Sequence, residues 1–221
     1  MNKKVYFDKY WEEMNTEVAD LRTLERVELS LKLLTKKRGR LLDVGCGRGI
    51  SSEMFSKMGF QVEGFDISPE AVAVAKKRGI DAWLFDIESD TLKGEYDVII
   101  CLEVLQFIVD PLRVLKNLRS ALEEDGEIIL SLPNEFHIWQ RVKILFGRFD
   151  FAKYDAPHLR LFHPQEISRL VEKAELEIVE KCPVSIVPPR STLLCYLGRF
   201  LTKISDSLFA ISFIFKLRRI R

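Results

Sequence analysis

The stretch Asp43-Val44-Gly45-Cys46-Gly47-Arg48-Gly49 sets three glycines at alternate positions just behind a carboxylate. Glycines allow a sharp backbone turn and a close approach to a ligand. A helix starting behind them would aim unpaired amides at a negatively charged group. Two further acids give this loop a chemical meaning. Asp66 stands 21 residues after Gly45, at the end of a second apolar run, where a carboxylate can accept both ribose hydroxyls of an adenosine. Asp86 follows a third apolar run and can accept a hydrogen bond from an adenine amino group. The set points to a ligand built on adenosine.

Two classes of adenosine ligand compete for such a loop. A dinucleotide site uses Gly-x-Gly-x-x-Gly, whose third glycine lets the helix pack on the strand. Here that third position is Ile50. Asp43 would also sit unfavourably near a pyrophosphate, but favourably near an ammonium group. The methionine part of S-adenosylmethionine carries that ammonium, so the residues lean away from NAD.

Loops so far apart in sequence meet only on a suitable scaffold. Leu21, Leu24, Val27, Leu31 and Leu34 recur at steps of three and four, which predicts one helix over 5–37, closed by Lys36-Lys37-Arg38 and Gly39. From residue 40 to 132 strand and helix alternate. Strands are expected at 40–44, 61–65, 82–85, 97–102 and 127–132, and helices at 50–58, 68–78 and 111–122. Ser68 and Pro69 form a natural helix start. The strands are apolar on both faces, which implies a mostly parallel sheet covered on both sides. Right-handed crossovers then bring the loops at the strand C-terminal ends to one edge, where ligands bind. Residues 133–163 are less regular and follow the fifth strand, so they would lie over that edge. A helix is expected at 164–174, with His163 at its cap, then a strand at 176–180. An amphipathic helix over 193–204 and a strand over 209–217 complete the pattern.

These residues resemble the class I S-adenosylmethionine-dependent methyltransferase family. The resemblance runs through Leu42-Asp43-Val44-Gly45-Cys46-Gly47, Gly64-Phe65-Asp66-Ile67-Ser68, Phe85-Asp86-Ile87 and Tyr96-Asp97-Val98-Ile99-Ile100-Cys101-Leu102-Glu103-Val104-Leu105. It covers about residues 38–182. It implies a Rossmann-like α/β/α sandwich whose mostly parallel seven-stranded sheet has an antiparallel last strand. It also implies a single methyltransferase domain over 1–221, with an N-terminal helical segment at 1–38 and a lid-like insertion at 133–163. Carried over residue by residue, Gly45, Cys46 and Gly47 approach the methionine part of S-adenosylmethionine, and Asp43 lies beneath it. Asp66 holds the ribose and Ile67 packs on the adenine. Asp86 and Ile87 frame the adenine edge, and Leu102 and Glu103 lie near the amino-acid end. Transfer would leave S-adenosylhomocysteine. Gln106 departs from the family pattern, so the resemblance supplies no base there. A looser likeness, through 131–134, 147–150 and 158–162, is to MetW-type and quinone- or sugar-modifying O-methyltransferases.

The acceptor is expected to be a small molecule, methylated at oxygen. A hydroxyl acceptor needs a base. His137, Tyr154, Asp155, His158 and Arg160 all follow the fifth strand, and His158 is the candidate base. Against that stands a histidine that merely fixes its loop. Arg160 can anchor substrate or form a structural ion pair, and His137 can act on substrate or pack with Phe136 and Trp139. Tyr6, Phe7, Tyr10 and Trp11 make an aromatic cluster that either docks the first helix or closes a flap over the cofactor. Tyr10, Trp11, Gln106, His137 and Arg160 are therefore the substrate candidates. The competing functional reading is a cofactor-binding sensor or assembly module without catalysis.

The remaining composition narrows the partners. Thirty-four basic and 33 acidic side chains give a net charge of +1 over 221 residues, which offers no field for nucleic acid. Cys46, Cys101, Cys182 and Cys195 are scattered, which fits reduced thiols in the cytoplasm, and no His/Cys cluster has metal-ligand spacing. The first residues lack the apolar stretch of a signal peptide. The basic tail ending in Lys216, Arg218, Arg219 and Arg221 would be a membrane contact if helical, and core with a basic end if a strand; the strand is expected.

Overall fold

Leu41 and Leu42 are both fully buried although neighbours in one strand point to opposite faces. Such a strand must be covered on both sides. In this computed structural model, which describes residues 3–13, 18–148, 158–188 and 191–220, it is β1 (Gly39–Val44), an inner strand of a seven-stranded sheet. The other strands are β2 (Phe60–Asp66), β3 (Asp81–Leu84), β4 (Tyr96–Leu102), β5 (Leu122–Pro133), β6 (Leu176–Ser185) and β7 (Ala210–Arg219). Their order is β3-β2-β1-β4-β5-β7-β6. All neighbours are parallel except β7, which runs antiparallel to both β5 and β6.

The period of two sorts the core. Leu42, Ile99, Cys101, Ile128 and Leu130 face helices α5 (Pro111–Ser120) and α7 (Pro164–Lys173), through Val114, Leu115, Leu118, Ile167 and Val171. Leu41, Val98, Ile100, Ile129 and Ile214 face α2 (Leu21–Leu33) and α3 (Ile50–Lys57), through Val27, Leu33 and Phe55. A third cluster packs Val72 and Ala75 of α4 (Pro69–Lys77) on Ala82 and Cys46. The expected layered sandwich with an antiparallel last strand is what forms.

Three local expectations need correction. The helix expected over 5–37 is two: α1 (Lys3–Glu13) and α2, which restarts where the Asp20 carboxylate caps Thr23 N at 2.7 Å. The helix expected to reach 122 stops at Ser120, because Leu122 is buried in the sheet opposite Tyr96. Residues 133–163 are not wholly irregular: α6 (Ile138–Leu145) forms there. The last helices are α8 (Thr192–Ile204) and the short α9 (Asp206–Phe209).

The basic tail is strand. Lys216 Nζ and Arg218 Nη2 reach buried Glu127 Oε1 at 3.0 and 2.5 Å, and Thr35 N donates to Glu127 Oε2 at 2.8 Å. Burial alone would raise the Glu127 carboxyl; Arg218, Lys216 and Thr35 outweigh it and hold the group at about 2. Among the described residues, no helix is long and apolar enough to cross a membrane, and no cluster of His, Cys, Asp or Glu could hold a metal.

Candidate active site

Strand order reverses between β1 and β4, so the chain leaves their C-terminal ends in opposite directions and opens a crevice. On one side Gly45 and Gly47 have φ of 68° and 52°, a region that glycine enters without strain. A Cβ on Gly45 would lie 2.6 Å from Val104 in the loop after β4. One on Gly47 would lie 2.6 Å from the Trp11 ring. The two glycines thus let the β4 loop and α1 close onto the β1 loop.

Asp66 ends β2 at the crevice floor. Its Oδ2 accepts from Gly47 N and its Oδ1 from Ser68 N, each at 2.9 Å. Burial raises this carboxyl above the usual range, and the two amides oppose that rise. Asp43 is buried beneath the loop, where Ser52 Oγ donates to its Oδ2 at 2.6 Å. Burial first, and Asp66 as well, push the Asp43 carboxyl up to about 7 against the pull of Ser52. Asp86 follows β3, and its Oδ1 accepts from Glu88 N at 3.0 Å.

Across the crevice, Glu103 follows β4 with a left-handed φ of 58°, costly for a residue with a side chain. Ser131 Oγ donates to its Oε1 at 3.1 Å, and Arg26 Nε of α2 lies 3.5 Å away. Burial raises the Glu103 carboxyl; Arg26 and Ser131 moderate the rise. Gln106, in a short turn of 3-10 helix, is 2% exposed. Its Nε2 donates to Glu103 O at 2.9 Å, while its Oε1 finds no hydrogen-bond partner among the described residues. The Gln106 carbonyl accepts from Leu159 N and Arg160 N, which fixes the segment carrying His158. His158 Nδ1 lies 2.7 Å from Glu135 Oε1, and its ring meets Phe107 edge-on at 5.3 Å.

Helix α1 covers the crevice. Phe7 packs on Phe107 with centroids 5.2 Å apart. Lys3 pairs with Glu88, Arg48 donates to Trp11 O, and Ser68 Oγ donates to Asp8 Oδ1 at 2.5 Å. The result is a cavity of about 470 Å³, which lies in the range of small-molecule sites. The loops after β1, β2 and β3 line it with Gly45, Cys46, Gly47, Asp66, Ile67, Asp86 and Ile87. Leu102, Glu103, Gln106 and His158 line it as well, and Tyr10 and Trp11 of α1 cover it, Trp11 beside Gly47.

The model of a methyltransferase domain matches residues 10–181, most of the chain. The chain belongs to this methyltransferase family. The methyltransferase is 30% identical over 149 residues to the ubiquinone biosynthesis O-methyltransferase of Shewanella halifaxensis, which spans 62% of this chain and 63% of that relative. It is 28% identical over 184 residues to the enzyme of the same name from Burkholderia pseudomallei, 77% of this chain and 79% of that one. Among solved structures, its fold matches a Thermotoga maritima S-adenosylmethionine-dependent methyltransferase, described as a possible histamine N-methyltransferase, with a TM-score of 0.72. That match covers 98% of this chain and 99% of the other at 18% identity. It also matches the magnesium protoporphyrin IX methyltransferase of Synechocystis with bound S-adenosylhomocysteine: TM-score 0.69, 18% identity, 98% and 97% covered. This protein is an S-adenosylmethionine-dependent methyltransferase.

The cavity suits that donor: side-chain-free glycines and a carboxylate at the floor. Of the residues expected at the methyltransferase site, Asp43, His137 and Arg160 do not line the cavity. Asp43 supports the loop from below through Ser52. His137 starts α6 outside the cavity. Arg160 turns its guanidinium to Val109 O, with Nε at 3.1 Å, and so braces the loop after β4. Tyr154 and Asp155 lie outside the described residues. Arg26 was not foreseen. It sits on the polar flank of an amphipathic helix, and nothing local in the sequence shows that this flank meets Glu103.

Proposed function

We propose that this methyltransferase moves the methyl group of S-adenosylmethionine to a hydroxyl oxygen of a small molecule. One observation carries the reading: one cavity is lined together by the glycine loop, the acids Asp66 and Asp86, aromatic side chains and a histidine. Asp66 takes the ribose, Ile67 and Ile87 flank the adenine, and Asp86 lies at its edge. Gly45, Cys46 and Gly47 face the methionine part, whose amino-acid end meets Leu102 and Glu103. The bound donor supplies an electrophilic methyl carbon on a sulfonium.

The chain must then align the acceptor in line with that carbon and exclude water. Tyr10 and Trp11 enclose the acceptor, and Gln106 Oε1 accepts from one of its donors. His158 is the base. Its Nδ1 lies 2.7 Å from Glu135 Oε1, and its Nε2 takes the hydroxyl proton. The acceptor oxygen bonds to the methyl carbon, the carbon–sulfur bond breaks with its electron pair left on sulfur, and S-adenosylhomocysteine departs. His137 and Arg160 have no part in this reading. The O-methyltransferase relatives support oxygen as the acceptor atom. Near-neutral charge disfavours nucleic acid. Four unpaired cysteines suit a reducing compartment, and we place the enzyme in the cytoplasm.

The test pairs calorimetric binding of S-adenosylmethionine with transfer of a labelled methyl group to a panel of hydroxylated aromatics and matched amines. Transfer to a hydroxyl supports the reading. Transfer to amines alone overturns the oxygen assignment.

A further inference from the structure

Helices α6 and α8 present large apolar side chains to solvent rather than to the core. Trp139, Leu145 and Phe146 are exposed on or just behind α6, Leu145 by 80%. On α8, Leu193, Tyr196 and Phe200 are exposed by 77%, 66% and 61%, and they extend along one helix face to Ile204. Spacing of three and four makes that a continuous apolar stripe.

The two helices share one end of the sheet. Helix α6 follows the end of β5, and α8 leads through α9 into the start of β7, with Pro133 opposite Ser212. Asn134 Nδ2 clamps the junction by donating to Ser207 O at 3.0 Å and Ala210 O at 2.8 Å. Arg141 Nη2 reaches Ser207 Oγ at 3.4 Å. This end carries the C-terminus of β5, hence the cavity edge.

Charge decides what covers the face. Residues 138–148 hold Arg141, Lys143 and Arg148, and residues 191–205 hold Arg199 and Lys203; neither stretch contains an acid. Among the described residues, the acids that flank these stretches are engaged, Asp206 with Lys181 and Glu135 with His158. A second copy docked by a two-fold axis would set this cationic patch against itself. Anionic lipid headgroups neutralise it, while the apolar stripe enters the acyl boundary and Trp139 and Tyr196 suit the interface. We infer that α6 and α8 form a docking face for an anionic lipid bilayer, which holds the enzyme at the membrane surface with its cavity edge towards the lipid. The basic end of β7 has no role in this contact, since Lys216 and Arg218 are spent on Glu127.

The inference does not depend on which acceptor is methylated. Flotation of the full chain with phosphatidylcholine vesicles, and with vesicles also containing phosphatidylglycerol, tests it. Binding to the anionic vesicles that weakens with salt is expected. Arg199→Gln with Lys203→Gln should lower that partitioning by about 25-fold, at roughly fivefold per cation. Lys116→Gln with Lys173→Gln, on α5 and α7, should leave it unchanged. Phe200→Ser with Leu145→Ser should also weaken it, while calorimetric S-adenosylmethionine binding shows that each variant is folded. The inference is overturned by no flotation with anionic vesicles at low salt, or by equal losses from the two lysine- and arginine-directed pairs. A dimer in sedimentation that Phe200→Ser abolishes, with vesicles ignored, would also overturn it by assigning the face to a second copy.

Discussion

Three side chains at the cavity carry separable predictions. Asp66→Ala removes the carboxylate proposed for the ribose, and charge-assisted hydrogen bonds of that kind set the scale. The dissociation constant for S-adenosylmethionine should rise by about 30-fold in calorimetry. His158→Ala should lower kcat by about 100- to 1000-fold while donor affinity is kept, as expected for loss of a general base. Equal losses in kcat and donor affinity would instead make His158 a loop brace. Asp43 gives a pH signature. Burial holds its carboxyl near 7, well above an unfolded aspartate. The folded chain therefore keeps a proton that the unfolded chain has released, and this stability is lost as pH rises from about 4 to about 7. Without cofactor, Asp43→Asn should gain on the parent through that window, by up to about 4 kcal/mol in urea unfolding. The loop-end acids were legible in the sequence because strand ends fix where such residues must lie. Arg26 and Glu135 were not, since each reaches the site through a long-range contact with no local signature.

At the scale of elements, α1 rests on few anchors and buries no residue fully. Ser68 links it to the core, because one hydroxyl both caps α4 at Ala71 N and donates to Asp8. Ser68→Ala should cost about 1 kcal/mol through the lost cap. It should also speed release of S-adenosylmethionine several-fold in stopped-flow, since lid opening commonly limits release. Sequence periodicity found the elements that pack on the sheet, because burial imposes the period. It carried one helix through 5–37 because the stripe from Leu21 to Leu34 belongs to α2 and says nothing of what precedes Asp20. It missed α6 because that helix turns apolar residues outward, so no core-facing stripe exists to be read.

For the whole molecule, the sheet and its order followed from alternating strand and helix signals. The pin beneath it did not. Glu127, Lys216, Arg218 and Thr35 meet only because β5 and β7 pair and α2 ends above them. Since the Glu127 carboxyl is depressed to about 2, its contribution is complete above an ordinary glutamate pKa and is lost as pH falls from about 4.5 towards 2. Glu127→Gln should lower stability at pH 7 by about 3 kcal/mol and flatten the acid limb of the thermal unfolding profile.

Strand β7 is the last of the seven to leave the ribosome, yet it fills the gap between β5 and β6. Throughout synthesis of the preceding strands, β5 keeps a bare hydrogen-bonding edge and β6 lacks its sheet neighbour. Such edges recruit strands from other chains. Until β7 emerges, the nascent chain is therefore exposed to aggregation through these edges, although the residues that surround the cofactor have long since been made.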